Sequence, residues 1–195
     1  TLAKMAGGTD GNIISYDASG NPVAIGTGND GQVLTSTGAG SPPAFEAAAG
    51  GDNSPYFLAY NVNSTTISNS TTTIMPFGNE VYDPDSTYDN STYRWTPGVT
   101  GPVWLFSMCV MNQADIHSSH AQFYDIVNKA GTNIARSIWV GGSSSQVRPV
   151  NQCSVLYNVT DDTDYFYCNI FHNSGNTNIT YTGRPTQYFG GFSLI

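Results

Sequence analysis

The sequence predicts an all-β protein: a sandwich or barrel of short antiparallel strands over residues 55–195, preceded by an N-terminal extended β-repeat. Three observations predict it. From Pro55 onward, apolar runs of strand length, rich in β-branched and aromatic residues, alternate with clusters of Gly, Asn, Asp and Ser. No stretch carries apolar residues at helical spacing over a helix-forming length. Residues 10–25 are echoed without a gap by residues 30–45.

The repeat comes first along the chain. Asp10-Gly11 aligns with Asp30-Gly31, Ile13-Ile14 with Val33-Leu34, Gly20 with Gly40, Pro22 with Pro42 and Ile25 with Phe45. Gly and Pro at the same phase mean one supersecondary unit used twice, and such a unit cannot bury its apolar face alone. Each copy reads as a turn at Asp-Gly, a short strand and a second turn at Gly-x-Pro. Two copies make too small a core for a chain segment of about 40 residues. Other copies of the chain are therefore expected beside them, wound into a short shaft over residues 1–47; a flexible Gly-rich leader with accidental similarity is the alternative. Residues 48–54 read as a small-residue linker.

The head follows over residues 55–195. Its strands are expected in YFLAYNV from Tyr56, TTTIMPF from Thr71, PVWLFSMCVM from Pro102, QFYDIV from Gln122, NIARSIWV from Asn133, CSVLYNV from Cys153, YFYCNIF from Tyr165 and YFGGFSLI from Tyr188. Two of these are apolar on both faces. In the first, Val103, Leu105 and Cys109 alternate with Trp104, Phe106, Met108 and Val110; in the second, Tyr165, Tyr167 and Phe171 alternate with Phe166, Cys168 and Ile170. A sandwich buries one face of each sheet, so a doubly apolar strand calls for a second partner. Another subunit supplies it in this reading, through Trp104, Phe106, Met108, Phe166 and Ile170.

Composition narrows the function. Only 10% of the 195 residues are charged, against about 25% in a typical soluble domain. The net charge of -8, with six Lys and Arg in all, argues against nucleic acid, which is bound by neutralising phosphates. No apolar run is long enough for a membrane-spanning helix, and TLAKMAGGTDG lacks the apolar core of a signal peptide. An odd count of cysteines (Cys109, Cys153, Cys168), each inside an apolar run, reads as buried thiols rather than a disulfide framework. No nucleophilic triad or paired catalytic glutamate is spaced along the chain, and GTGNDG from Gly26 lacks the lysine of a phosphate loop. The expectation is a non-enzymatic protein without cofactor or resident metal.

Three segments of the head carry a family resemblance. VYDPDSTYDNSTYRWTPGVTGPVWLF holds Asp83, Tyr88-Asp89, Trp95, Pro97, Gly101 and Trp104–Phe106; VLYNVTDDTDYFYCNIFHNSG runs from strand through acidic turn to aromatic strand and Asn-Ser-Gly; YFGGFSLI ends the chain. Together these resemble the complement 1q and tumour necrosis factor family of trimeric jelly rolls. Pro102-Val103 and Trp95 depart from that family's usual pattern. The resemblance implies a jelly-roll β-sandwich assembled as a homotrimer. The leader is similar to those of bacteriophage fibre and capsid-appendage proteins, which implies a virion location and attachment of the N-terminal residues to a capsid or tail protein.

In such a jelly roll, loops alternate between two poles. Counting back from the last strand places 112–120, 141–149 and 173–187 at the pole away from the shaft, and the turns 128–132 and 160–164 at the base. Gln113, Asp115, His117, His120, Gln146, Arg148, Asn176, Asn178, Tyr181, Arg184 and Gln187 then form the candidate ligand-binding set, amides, tyrosine and arginine suiting sugar hydroxyls or a protein receptor on a host surface. Plain solvated loops are the alternative. His117 and His120 beside Asp115 offer a transition metal too few ligands. Asp83, Asp85, Asp89 and Asp161, Asp162, Asp164 suit calcium or, equally, local turn formation. A capsid decoration or head fibre, a tail-fibre receptor-binding protein and a secreted lectin-like module all fit these features, with the capsid appendage favoured by the short segment ahead of the repeats.

Overall fold

The computed structural model describes residues 7–48, 53–112, 121–141, 149–175, 177–180 and 187–194, and it falls into two compact units, 1–50 and 51–195. In the first unit the two repeats form two hairpins. One pairs β1 (Ile13–Tyr16) with β2 (Pro22–Ile25), and the other pairs β3 (Gln32–Thr35) with β4 (Ala44–Ala47). Gly11 and Gly31 have φ of 81° and 82°, and Gly20 and Gly40 of 79° and 83°. This left-handed conformation is the reason for glycine at those phases of the repeat. The second hairpin is not a strict copy. Ile13 pairs with Ile25, yet its counterpart Val33 pairs with Glu46, one residue beyond Phe45. Pro43 stands where the first copy has Val23, and a proline without an N–H delays the start of the strand. Ile13, Ile14, Tyr16, Val33 and Leu34 are exposed on these hairpins.

The second unit is a β-sandwich. Its strands are β5 (Tyr56–Tyr60), β6 (Thr66–Ile67), β7 (Thr73–Ile74), β8 (Asn79–Tyr82), β9 (Tyr88–Asp89), β10 (Arg94–Trp95), β11 (Gly101–Asn112), β12 (Ala121–Asn128), β13 (Asn133–Val140), β14 (Val150–Val159), β15 (Phe166–His172), β16 (Asn178–Thr180) and β17 (Gln187–Ser193). One sheet runs β6-β16-β11-β17-β5-β8, with β14 on β11; the other runs β13-β12-β15-β10-β9, with β7 on β15. The ladders between these strands are antiparallel. TTTIMPF contributes only the two residues of β7, because Pro76 cannot extend the ladder and Met75 and Phe77 turn into the core instead. The very short β6, β8, β9, β10 and β16 carry no alternation long enough to announce them.

Period-two burial explains the long strands. β15 alternates buried and half-buried residues along its length, and β11 buries Val103, Leu105, Ser107, Cys109 and Met111 on one side. Between the sheets Phe57 stacks on Tyr88 at 4.8 Å and on Trp95 at 5.0 Å, and meets Phe189 edge-on at 4.9 Å. Trp95 and Tyr157 close on Phe166. Gly191 makes this possible: a Cβ there would lie 2.9 Å from Leu105 and 3.1 Å from Trp95. Cys109, Cys153 and Cys168 are free and buried, and Cys168 Sγ donates to Ser107 Oγ, which also hydrogen-bonds the Tyr124 hydroxyl.

Register sets the poles. Tyr56 lies opposite Phe192, Val103 opposite both Ser193 and Tyr157, and Gly101 opposite Val159, so these strand ends share one pole. Lys129 Nζ donates to Thr163 Oγ1 at 2.5 Å, tying together the turns 128–132 and 160–164.

Candidate functional site

Nine of the candidate ligand residues, Gln113, Asp115, His117, His120, Gln146, Arg148, Asn176, Tyr181 and Arg184, lie outside the described residues. The strand ends that border those segments, at Asn112, Ala121, Val140, Val150, His172 and Gln187, share the pole opposite Tyr56. Two members are placed differently from expectation. Asn178 begins strand β16 and pairs with Ile67, so it belongs to a sheet rather than a loop. Gln187 is 1% exposed. It shares the inward phase of Phe189 and Gly191 on β17, its carbonyl accepts from Asn61 N, and its Nε2 donates to Asn63 O. Its work is to anchor the chain leaving β5, and it offers no side chain to a ligand.

The proposed subunit-contact set divides in two. Trp104, Phe106 and Met108 point outward from β11; Trp104 is 37% exposed and the other two half-buried. Phe166 and Ile170 are wholly buried inside one subunit and are no part of an outer surface. β15 is apolar on both sides, and packing against Trp95 and Tyr157 selects Phe166 for the interior, leaving Tyr167 and Phe171 outside. On the β11 face, Phe106 meets Tyr188 edge-on at 6.1 Å, and a shallow groove of about 400 Å³ is lined by Tyr56, Leu58, Tyr82, Phe106 and Phe192.

The other sheet carries a second cavity, of about 320 Å³, lined by Thr72, Phe123, Asp125, Asn133, Arg136, Asn169 and Phe171. Arg136 forks onto Asp125, Nε donating to Oδ1 at 2.6 Å and Nη2 to Oδ2 at 2.9 Å. Its guanidinium lies 4.7 Å from the centroid of Phe123, which stacks on Phe171 at 5.8 Å. The sequence reading missed this group. The signal available was a charged residue in the middle of each of two neighbouring strands, QFYDIV and NIARSIWV, in a chain with so few charges.

The acidic clusters are turn builders. Asp83 accepts from Thr87 N, Thr87 Oγ1 and Tyr88 N; Asp89 accepts from Ser91 and Thr92; Asp161 accepts from Thr163. Hydrogen bonds from the Ser91 and Thr92 hydroxyls lower the Asp89 carboxyl to about 2. Burial raises all three thiols, Cys153 to about 12.

No protein family matches the sequence, and no curated protein is similar to it. Solved structures are similar in fold. The globular domain of zebrafish complement 1qA protein superposes with a TM-score of 0.50 at 11% identity, covering 72% of this chain and 98% of that one. Murine APRIL gives 0.52 at pH 5.0 and 0.51 at pH 8.0, at 13% identity, covering 71% of this chain and 98% of each. The head therefore has the complement 1q and tumour necrosis factor type of jelly-roll fold; at these identities the likeness is one of fold.

Proposed function

We propose that the chain is a non-enzymatic structural protein of a bacteriophage virion: a homotrimeric appendage whose N-terminal residues attach to the capsid while the jelly-roll head projects outward and adheres to the host surface. The observation that carries the assembly is the outer face of the β11 sheet. Trp104, Phe106 and Met108 stand beside Tyr188 and Phe192 of β17 and Leu58 of β5, a contiguous apolar field on one sheet face. Contiguous patches of this kind mark interaction surfaces. The threefold order is taken from the family that the head resembles. The exposed apolar residues of both hairpins support the same reading, since copies lying side by side would cover them. The leader's likeness to phage appendages supplies the location.

Light scattering on the intact chain tests the assembly, with an expected mass three times the 20.8 kDa of one chain. Antibody labelling of purified virions tests the location. Label over the shell supports the capsid appendage, label confined to the tail makes the chain a tail fibre, and unlabelled virions overturn the virion role while leaving a lectin-like module.

A further inference from the structure

We infer that the cavity on the outward face of the β13-β12-β15 sheet is a saccharide site, shaped for one neutral sugar ring. Two cross-strand rows build it. Arg136, Asp125 and Asn169 lie opposite one another across three strands, and Ile138, Phe123 and Phe171 form the next outward-facing row. Rows two residues apart are separated by about 7 Å, roughly the span of a sugar ring with its hydroxyls. One row is polar and the other apolar, matching a ring that presents hydroxyls along one edge and C–H bonds along another. The cavity volume sits at the small end of ligand sites, as a monosaccharide requires.

The chemistry of the lining selects against other ligands. Both oxygens of Asp125 are engaged by Arg136, so a cation meets no free carboxylate and an anion meets a guanidinium already neutralised. A purely apolar ligand would leave Asn169 Oδ1 without a donor. Asn169 Oδ1 is a buried acceptor to which no group among the described residues donates. Such an acceptor carries a cost until an O–H reaches it, and Asn169 itself lines the cavity. Asn133, exposed at the rim, and Thr72 add neutral hydrogen-bonding groups. The Arg136 fork and the Phe123–Phe171 stack hold the lining rigid before any ligand arrives, which lowers the ordering cost of binding.

The site lies on the sheet opposite the one proposed to assemble, so its test stands apart from the virion reading. Saturation-transfer NMR on the intact chain, with glucose, galactose, mannose and N-acetylglucosamine each at millimolar concentration, is expected to show transfer to the ring protons of at least one sugar. Phe171→Ala and Asn133→Ala should each weaken that binding at least five-fold. Asn133 is exposed, so its variant keeps the test decisive if Phe171→Ala fails to fold. Absence of transfer to every sugar overturns the site. So does binding weakened less than five-fold in Asn133→Ala and any folded Phe171→Ala, or binding abolished by Arg148→Ala or Arg184→Ala instead.

Discussion

The ring of Phe106 lies over the backbone of Gly190 on the adjacent strand, so close that a Cβ at Gly190 would fall 2.5 Å from its Cζ. Gly190 thereby lets an aromatic side chain lie flat on the outer face of the β11 sheet, while its neighbour Gly191 does the same for Trp95 on the inner face. Two adjacent glycines serve opposite surfaces. Phe106→Asp is expected to leave the sandwich folded, because the residue is outside the core, and to convert the proposed trimer to monomer through unpaired charge in the contact. Gly190→Ala should tilt the ring off the sheet and weaken assembly without abolishing it. Light scattering as a function of protein concentration reads both effects; a Phe106→Asp trimer as stable as wild type would remove this face from the interface.

Gly191→Ala tests the inner surface. The added methyl meets Leu105, Trp95 and Phe57 at 2.9 to 3.2 Å inside a packed aromatic cluster. Overpacking of this kind costs about 1–3 kcal/mol. The denaturation midpoint should fall accordingly, with a changed near-ultraviolet circular dichroism signal from Trp95.

Removing Arg136 should destabilise the head more than its position on the surface suggests. The Asp125 side chain is 9% exposed, so Arg136→Met strands a carboxylate with little access to water, at a cost of about 1–3 kcal/mol. The double variant Asp125→Leu/Arg136→Met removes the stranded charge and should recover much of the loss. Urea titrations of wild type, Asp125→Leu, Arg136→Met and the double variant measure the coupling.

The thiols make the native protein sensitive to alkali. Burial holds Cys153 protonated to about pH 12, and raises Cys109 and Cys168 as well, whereas unfolded thiols ionise near 8.5. The folded state therefore binds more protons above that pH, and stability should be intact below about 8.5 and decline as pH rises toward 12. An aromatic disulfide reagent at pH 8 should leave all three thiols unmodified in the native protein and titrate them after denaturation.

Asp89 gives the opposite sign at the acid end. Its folded value of about 2 lies below the roughly 3.9 of an unfolded aspartate. Its contribution is present above about pH 4 and lost as pH falls toward 2. In Asp89→Ala this part of the acid dependence should vanish, read from tryptophan fluorescence between pH 5 and 2.

The strands of the head were legible because alternation is a local property. Val103, Leu105 and Cys109 against Trp104, Phe106 and Met108 describe β11 correctly on both faces, and the positive-φ turns of the repeat were marked by glycines at one phase. What the sequence by itself determined was thus the all-β class, the long strands and the buried thiols. It could not choose between faces that are equally apolar. Phe166 and Ile170 went inward, and Tyr167 and Phe171 outward, because the tertiary partners Trp95 and Tyr157 stand on one side of β15. Gln187 likewise reads as a polar loop residue, yet its phase relative to Phe189 buries it. The Arg136–Asp125–Asn169 row is decided by tertiary structure alone, since its members come from three strands up to 44 positions apart and meet only through the register that packing imposes. Period-two patterning specifies what each strand can bury; the facing sheet specifies what it does bury, because only there do the volumes of neighbouring side chains compete for the same space.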